Sequence, residues 1–524
     1  MGEHFVRPSA GADGRGLSRR GFVLGAAGAV GAAAVVGRVG SAGASSAPPR
    51  IVDHPFTLGV ASGDPLPNGV VLWTRLAPLP TEGGGMAPET YRVEWEVAED
   101  PAMRRVIRRG TARARPDHAH SVHEDVRGLR SGRDYWYRFR VDGHLSPIGR
   151  TRTAPHRNGR PSELVFGHVS CQRYNAGYYT AYDDLVSAGP DLVVHVGDYI
   201  YESPGGGVRT DPLPESVSLD EYRNRYGLYK QDPSLMAAHH AAPWLFTWDD
   251  HEVENNHAGV VPEEGSTTPD PAEFLARRAA AYKAYWEHMP FRRPAPTGPD
   301  FPIHRQVRWG RLADLFVLDT RQYRDDQCGE IGVCDPALDA DREMLGSEQQ
   351  EWLDDGLRRS KADWAVLAQQ VVFSRMNFVP SPAEIYNLDQ WDGYQTARRR
   401  VLASLVEHHP RGNVVLTGDI HASGASDVLA DFGDPTSQVL GAEFIATSIS
   451  SQGSAGLQAV VPSALAANPH LKSIDTRRRG WIKHTVTSGS WRADYRAVDP
   501  EGHRWIFATR VRDVAPEDMV PPGA

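Results

Sequence analysis

Between residues 164 and 449 the chain alternates short apolar runs with stretches of helical spacing, and that alternation restricts it to a layered α/β domain. The apolar runs fall at 164–169, 192–196, 244–248, 312–318, 365–372, 414–416 and 444–449 and read as strands. Helical patterns lie between them, as at 272–288, where Phe274, Tyr282, Tyr285 and then Met289 recur at helical steps. In such sheets ligands gather at the carboxyl ends of the strands. The residues that close each apolar run are therefore the ones expected to carry chemistry.

Four of those closures form a single chemical set. The first run ends in Ser170-Cys171 and the second in Gly197-Asp198-Tyr199-Ile200-Tyr201. The third ends in Asp249-Asp250-His251-Glu252, followed by Asn255, Asn256 and His257, and the run at 414–416 leads into Thr417-Gly418-Asp419-Ile420-His421. A glycine ahead of the acid lets backbone and side chain turn sharply out of the strand. One Gly-Asp is often only a turn, and one buried His is often only a core residue. Four such closures in order, bringing carboxylates, imidazoles, a thiol and a phenol together, predict a shared metal site. Cys171, Asp198, Tyr201 and His421 suit a strongly Lewis-acidic ion such as iron(III), with zinc the rival. Asp419, Asp250 and Asn256 offer only oxygen, which suits calcium or magnesium.

The rest of the chain supplies the setting. From 55 to 155 the pattern is β: Tyr91, Val93, Trp95 and Val97 alternate with Arg92, Glu94 and Glu96, and Tyr135, Tyr137, Phe139 and Val141 repeat the alternation. The stretch from Leu129 to Tyr135 resembles the tyrosine corner of immunoglobulin-like sandwiches. This region carries no catalytic constellation and is expected to be a structural β-sandwich, with the catalytic domain at 160–524. Ahead of it, Arg19-Arg20 precedes a weakly apolar run from Gly21 to Gly37 and an Ala42-Gly43-Ala44 cleavage pattern. Residues 1–44 thus resemble a twin-arginine export signal, which implies the twin-arginine translocation machinery as a partner and a secreted, already folded product. Those 44 residues carry five Arg against Glu3 and Asp13, a formal +3, so the remainder stands at −12 where the whole chain stands at −9. An acidic product excludes non-specific nucleic-acid binding. Cys328 and Cys334 bracket a short loop that an oxidising compartment could close as a disulfide, leaving Cys171 unpaired.

The strand-end motifs, together with Val60-Ala-Ser-Gly-Asp64-Pro65 and Val71-Leu-Trp-Thr-Arg75, resemble those of the PhoD-type alkaline phosphatases from about residue 55 nearly to the C-terminus. The Cys and the Tyr-x-Tyr are unusual among metallophosphoesterases, which makes the resemblance specific. It implies a four-layer αββα core of two packed sheets flanked by helices, after an immunoglobulin- or fibronectin-like sandwich. It also implies an iron(III) and calcium centre. Carried onto this sequence, Cys171, Asp198, Tyr201 and His421 would hold iron, with Asp198 bridging. Asp419 and one of Asn255 and Asn256 would hold calcium, with Asp250 a further ligand. His251 and Arg173 are candidate phosphate contacts, or else structural hydrogen-bonding residues. Asp319 to Tyr323 follows a strand and is expected to brace the core.

The expected chemistry is hydrolysis of a phosphate mono- or diester by hydroxide held between two metals, without a covalent phospho-enzyme. The chain has no Gly-x-Ser-x-Gly, and Ser170 is expected only to shape the turn before Cys171. A phospholipase-D-like diesterase would use the same centre. A Cys171–His nucleophilic dyad would leave Asp198 and Asp419 without a task. A calcium-stabilised binding protein would tolerate Asp198→Asn. A monomer is expected, and residues 499–524 form either a lid or a last strand.

Overall fold

The computed structural model describes residues 48–335, 340–409, 411–498 and 504–507, so the expected export signal at 1–44 lies outside the described residues. Every expected strand is present, as Leu164–Val169, Leu192–Val196, Trp244–Thr247, Ala313–Val317, Trp364–Ala368, Asn413–Thr417 and Val439–Ile445. The last is displaced from the apolar run at 444–449 because it begins upstream of Glu443, a fully buried acid that interrupts the apolar pattern. Its carboxylate accepts from the Phe373 and Ser374 backbone N–H groups and from the Thr417 hydroxyl, which is why it can stand inside a strand. The long helix is Pro271–His288, started by Asp270, whose carboxylate accepts from the Ala272 and Glu273 backbone N–H groups.

Among the described residues the strands form a nine-stranded and a seven-stranded sheet. Leu164–Val169, Leu192–Val196 and Trp244–Thr247 run parallel in the first, and Ala313–Val317 to Val439–Ile445 run parallel in the second. One apolar cluster draws on both sheets, including Phe166, Val194, Leu245, Leu315, Val366 and Leu416. A second joins the first sheet to its helices through Val193, Phe246, Tyr226 and Tyr285, and a third joins the second sheet to Leu353, Leu357 and Val401. Ser170 and Ser448 make a parallel bridge at the carboxyl ends, so the two sheets meet where the ligand-type residues emerge.

The sheet does not stop at residue 155. Val60–Leu66, Gly69–Arg75 and Ser121–Arg127 are the far strands of the nine-stranded sheet, and Val60–Leu66 pairs in parallel with Trp244–Thr247. Facing them is a separate sheet containing Tyr91–Ala98, Val106–Ala114 and Asp134–Val141. Val60, Leu72 and Val122 from one side share a core with Trp95, Tyr137 and Phe139 from the other. The Tyr135 hydroxyl accepts from the Arg130 N–H at 2.9 Å, the contact that the tyrosine corner requires. At the opposite edge, Arg504–Phe507 pairs antiparallel with Trp491–Val498, so part of the C-terminal segment finishes the sheet.

Candidate metal centre

The turn at the end of each strand decides where its ligand-type side chain points. Cys171, Asp198, Asn256, Asp419 and His421 have φ of 58°, 59°, 51°, 64° and 54°, and beyond residue 155 they are the only described non-glycine residues with positive φ. Left-handed backbone costs on the order of 1 kcal/mol or more per residue and persists where the surroundings enforce it, characteristically at functional sites. Gly197 is the hinge of the second turn: its φ is 109°, and a Cβ there would lie 2.5 Å from Cβ of Asp249.

These turns bring three overlapping groups of side chains together, each with ligand atoms within 4.8 Å of one another: Cys171, Asp198 and His421; Asp198, Asp250 and His251; Asp249, Asp250 and Asp419. Tyr201 joins the first group, its hydroxyl 2.8 Å from both Asp198 Oδ2 and His421 Nε2. His421 Nδ1 donates to the Gln452 carbonyl at 2.7 Å, which leaves Nε2 as the lone-pair nitrogen facing the group. Ser170 Oγ donates to Cys171 Sγ, and Ser451 Oγ to the Tyr201 oxygen. Asp198 Oδ1 is buried and has no hydrogen-bond partner.

Burial and mutual repulsion work against most of the charged forms in this assembly. Burial and the neighbouring Asp198 push the Cys171 thiol well up, and the same two causes raise the Tyr201 phenol. Burial also raises Asp198 far above the usual carboxylate range, although His251 opposes it. Asp419 is pushed up to about 7 by burial and by Asp389, against Arg321. Burial lowers His421 to about 4. Asp250 is the exception: burial would raise it, but Arg321 and His251 hold it low, and its two oxygens accept from the His251 and Asn256 N–H groups at 2.8 Å. A set of inward-turned acceptors whose charged forms burial disfavours fits a cation bound among them.

The residues to which sequence reasoning gave no role at the site are those that hold the acids in place. Glu252 accepts from the backbone N–H groups of Asp198, Tyr199 and Asp249 and so ties two strand ends together. Arg321 does more than brace the core. Fully buried, it forms a bidentate pair with Asp389 at 2.7 and 2.8 Å, binds Asp249, and comes within 3.7 Å of Asp250 and 3.8 Å of Asp419. Gln390 donates to Asp419 Oδ2 at 2.6 Å. Asp249 and Glu252 stood within a recognised motif, whereas Asp389 and Gln390 follow the short strand Tyr386–Asn387, which no apolar run announces.

Two cavities meet at this cluster. One, of about 610 Å³, is lined by Asp198, Asp250, Asn255, Asn256 and Asp419 together with an apolar wall. The other, of about 540 Å³, is lined by Arg173, Tyr201, Glu202 and Ser451, and both share His251, Asn255 and His421. The guanidinium of Arg173 sits 4.9 Å from the Tyr201 ring and donates to Asn175 and the Ser203 carbonyl. His251 Nδ1 donates to Glu202 at 2.7 Å. Burial opposes the charged ring, whereas Glu202, Asp250 and Asp198 raise its pKa above the ordinary value. Asn255 gives its amide N–H to Glu263, while Asn256 takes the left-handed turn beside Asp250.

Comparison with known proteins identifies the family. The family model for the PhoD-like phosphatase matches residues 166–495, and that for the PhoD-like phosphatase N-terminal domain matches residues 42–155. The chain belongs to the PhoD-like phosphatase family. Alkaline phosphatase D of Bacillus subtilis (strain 168) is 47% identical over 465 residues, covering 86% of this chain and 79% of that protein. A solved structure of PhoD superposes with a TM-score of 0.84 at 45% identity, covering 87% of this chain and 90% of that one. As a PhoD-like phosphatase of mixed α/β fold, the chain is a phosphoric ester hydrolase.

Proposed function

We propose that this PhoD-like phosphatase is an exported, metal-dependent hydrolase of phosphate mono- or diesters, with its centre at the junction of the two cavities. The single observation that carries the reading is the gathering of four left-handed residues around a fifth, Asp198, whose inner oxygen is buried without a hydrogen-bond partner. Cys171, Asp198, Tyr201 and His421 would hold iron(III), since thiolate, phenolate, carboxylate and an imidazole with its Nε2 free favour a strongly Lewis-acidic ion. Asp419 and Asn256 would hold calcium, with Asp198 shared and Asp250 beside them, because their donors are oxygen alone. Asn256 is preferred to Asn255 because its backbone is turned into the cluster and Asn255 serves Glu263. The bound ions would supply a water of lowered pKa and neutralise the phosphate oxygens.

The chain's own groups would do the rest. His251, oriented by its Nδ1 hydrogen bond to Glu202, would bind a phosphate oxygen from the shared wall, and Arg173 would do so from the polar cavity. Ser170 and Ser451 are buried and spend their hydroxyls on Cys171 and Tyr201, so neither is available as a nucleophile. Hydrolysis should therefore invert a chiral phosphate, and retention would overturn direct attack. Elemental analysis of the purified protein should find iron and calcium. Asp198→Asn should lose both ions and cut turnover at least about a thousandfold. An Asp198→Asn variant that keeps its turnover would sink the proposal. We also read the three cores as helix–sheet–sheet–helix layers, and the region around Tyr135 as an immunoglobulin-like sandwich sharing strands with the catalytic sheet. Residues 1–44 and their twin-arginine pattern support export. Among the described residues no helix is long and apolar enough to cross a membrane.

A further inference from the structure

The 610 Å³ cavity has an apolar wall that the hydrolytic chemistry does not use. Val372 and Met376 are buried in a cluster with Ile445, against which Phe378 and Leu457 pack, so most of this wall is anchored in the protein. Ile331 is different. It lines the same cavity yet is 59% exposed, an aliphatic side chain with most of its surface unspent at the lip of a catalytic site.

Ile331 belongs to the loop that the Cys328–Cys334 disulfide closes. Its strand, Ile331–Gly332, pairs with Tyr386–Asn387 in a two-stranded sheet, an arrangement that is marginal without support. The support is small and local. Cys334 packs with Tyr386 and Leu388, Cys328 packs against them, and the Leu388 N–H donates to the Glu330 carbonyl at 2.8 Å. Leu388 is followed at once by Asp389 and Gln390, which grip Arg321 and Asp419. The ribbon is thus crosslinked at one end and rooted in the candidate metal centre at the other, with Ile331 carried between them.

We infer that the disulfide-closed loop 328–334 is the specificity rim of the catalytic cavity, and that Ile331 contacts an apolar alcohol substituent of a phosphodiester substrate. The inference rests on the reading of this cavity as the phosphoester site. The ester bond that breaks lies at the cluster, and the rim selects the substituent that remains on phosphorus, so Ile331 acts on specificity and takes no part in proton transfer. The disulfide and the Tyr386–Leu388 segment are positioning elements that hold it at the lip.

Two diesters with a common leaving group test this: methyl and hexyl p-nitrophenyl phosphate. The full-length enzyme should prefer the hexyl ester in kcat/KM. Ile331→Ala should reduce the hexyl-to-methyl ratio by about tenfold, the lower end of what an apolar contact contributes to discrimination. The change should appear in KM for the hexyl ester, with kcat for the methyl ester unaltered. Ile331→Leu should restore the preference. The paired Cys328→Ser and Cys334→Ser variant should lose it as Ile331→Ala does, while retaining kcat for the methyl ester. An unchanged ratio in Ile331→Ala, or equal loss of kcat on both esters, overturns the rim. Failure of the unaltered enzyme to hydrolyse either ester overturns the underlying reading of the cavity instead.

Discussion

Arg321 is the residue on which the acidic cluster balances. Its guanidinium is fully buried among Asp249, Asp250, Asp389 and Asp419, and although burial disfavours its charge, these carboxylates hold its pKa well above the ordinary value. Removing a buried cation of this kind leaves uncompensated acids, a loss of about 3 to 5 kcal/mol. Arg321→Met should therefore lower the urea midpoint substantially, and metal supplied in excess should recover part of the loss by binding the orphaned acids. Arg321→Lys should also be impaired, because an ammonium cannot reproduce the bidentate pair with Asp389. The individual ligand-type residues were legible in the sequence since each closes an apolar run. Their counter-charge was not, because nothing local to Arg321 shows that Asp249, Asp389 and Asp419, distant in the chain, surround it. Asp389 and Gln390 were hidden for a different reason: they act from an irregular segment whose position depends on the tertiary fold.

At the scale of elements, the strand-to-turn transitions matter more than the strands. Gly197 lies where a side chain would strike both Cβ and the backbone nitrogen of Asp249, at 2.5 and 2.7 Å, with a φ that L-residues resist. Gly197→Ala must push the Asp198 and Asp249 strand ends apart. It should cost about 1 to 3 kcal/mol in unfolding free energy and lower the metal content of the purified protein. Unaltered metal content in a folded Gly197→Ala protein would show that the turn is not what sets the geometry. The strands themselves were readable from apolar runs alone, apart from Val439–Ile445, where a satisfied buried acid breaks the pattern. The N-terminal strands were recognisable as β by their alternation. Their sheet membership was not, because the single parallel register between Gly63 and Trp244 is a contact across 181 positions that local periodicity does not encode.

Over the whole molecule, the N-terminal strands are joined to the catalytic half by buried polar contacts as well as by apolar packing. The Trp73 indole donates to the Glu287 carbonyl at 2.9 Å, and Arg75 lies 2.8 Å from His288. At the same junction Lys230 is buried with its amine 4.5 Å from the Trp73 ring, 5.3 Å from the Tyr199 ring and 3.4 Å from His239. Among the described residues no carboxylate pairs with it, and burial brings its pKa down to about 7. Below that pH the amine is charged in both the folded and the unfolded chain and adds no slope to stability. Between about pH 7 and the unfolded value near 10.5, the unfolded chain binds a proton that the folded chain does not, so stability rises with pH through this window. Lys230→Met removes this contribution while keeping a flexible side chain to fill the space. Its stability advantage over the unaltered protein should therefore be largest near pH 7 and shrink by up to about 5 kcal/mol as the pH approaches 10. Urea unfolding of both proteins at pH 7.0, 8.5 and 9.5 reads that difference directly, and other titrating groups cancel between them. Parallel pH profiles would mean that the amine reaches water or an anion in solution, and that the junction is looser than this packing.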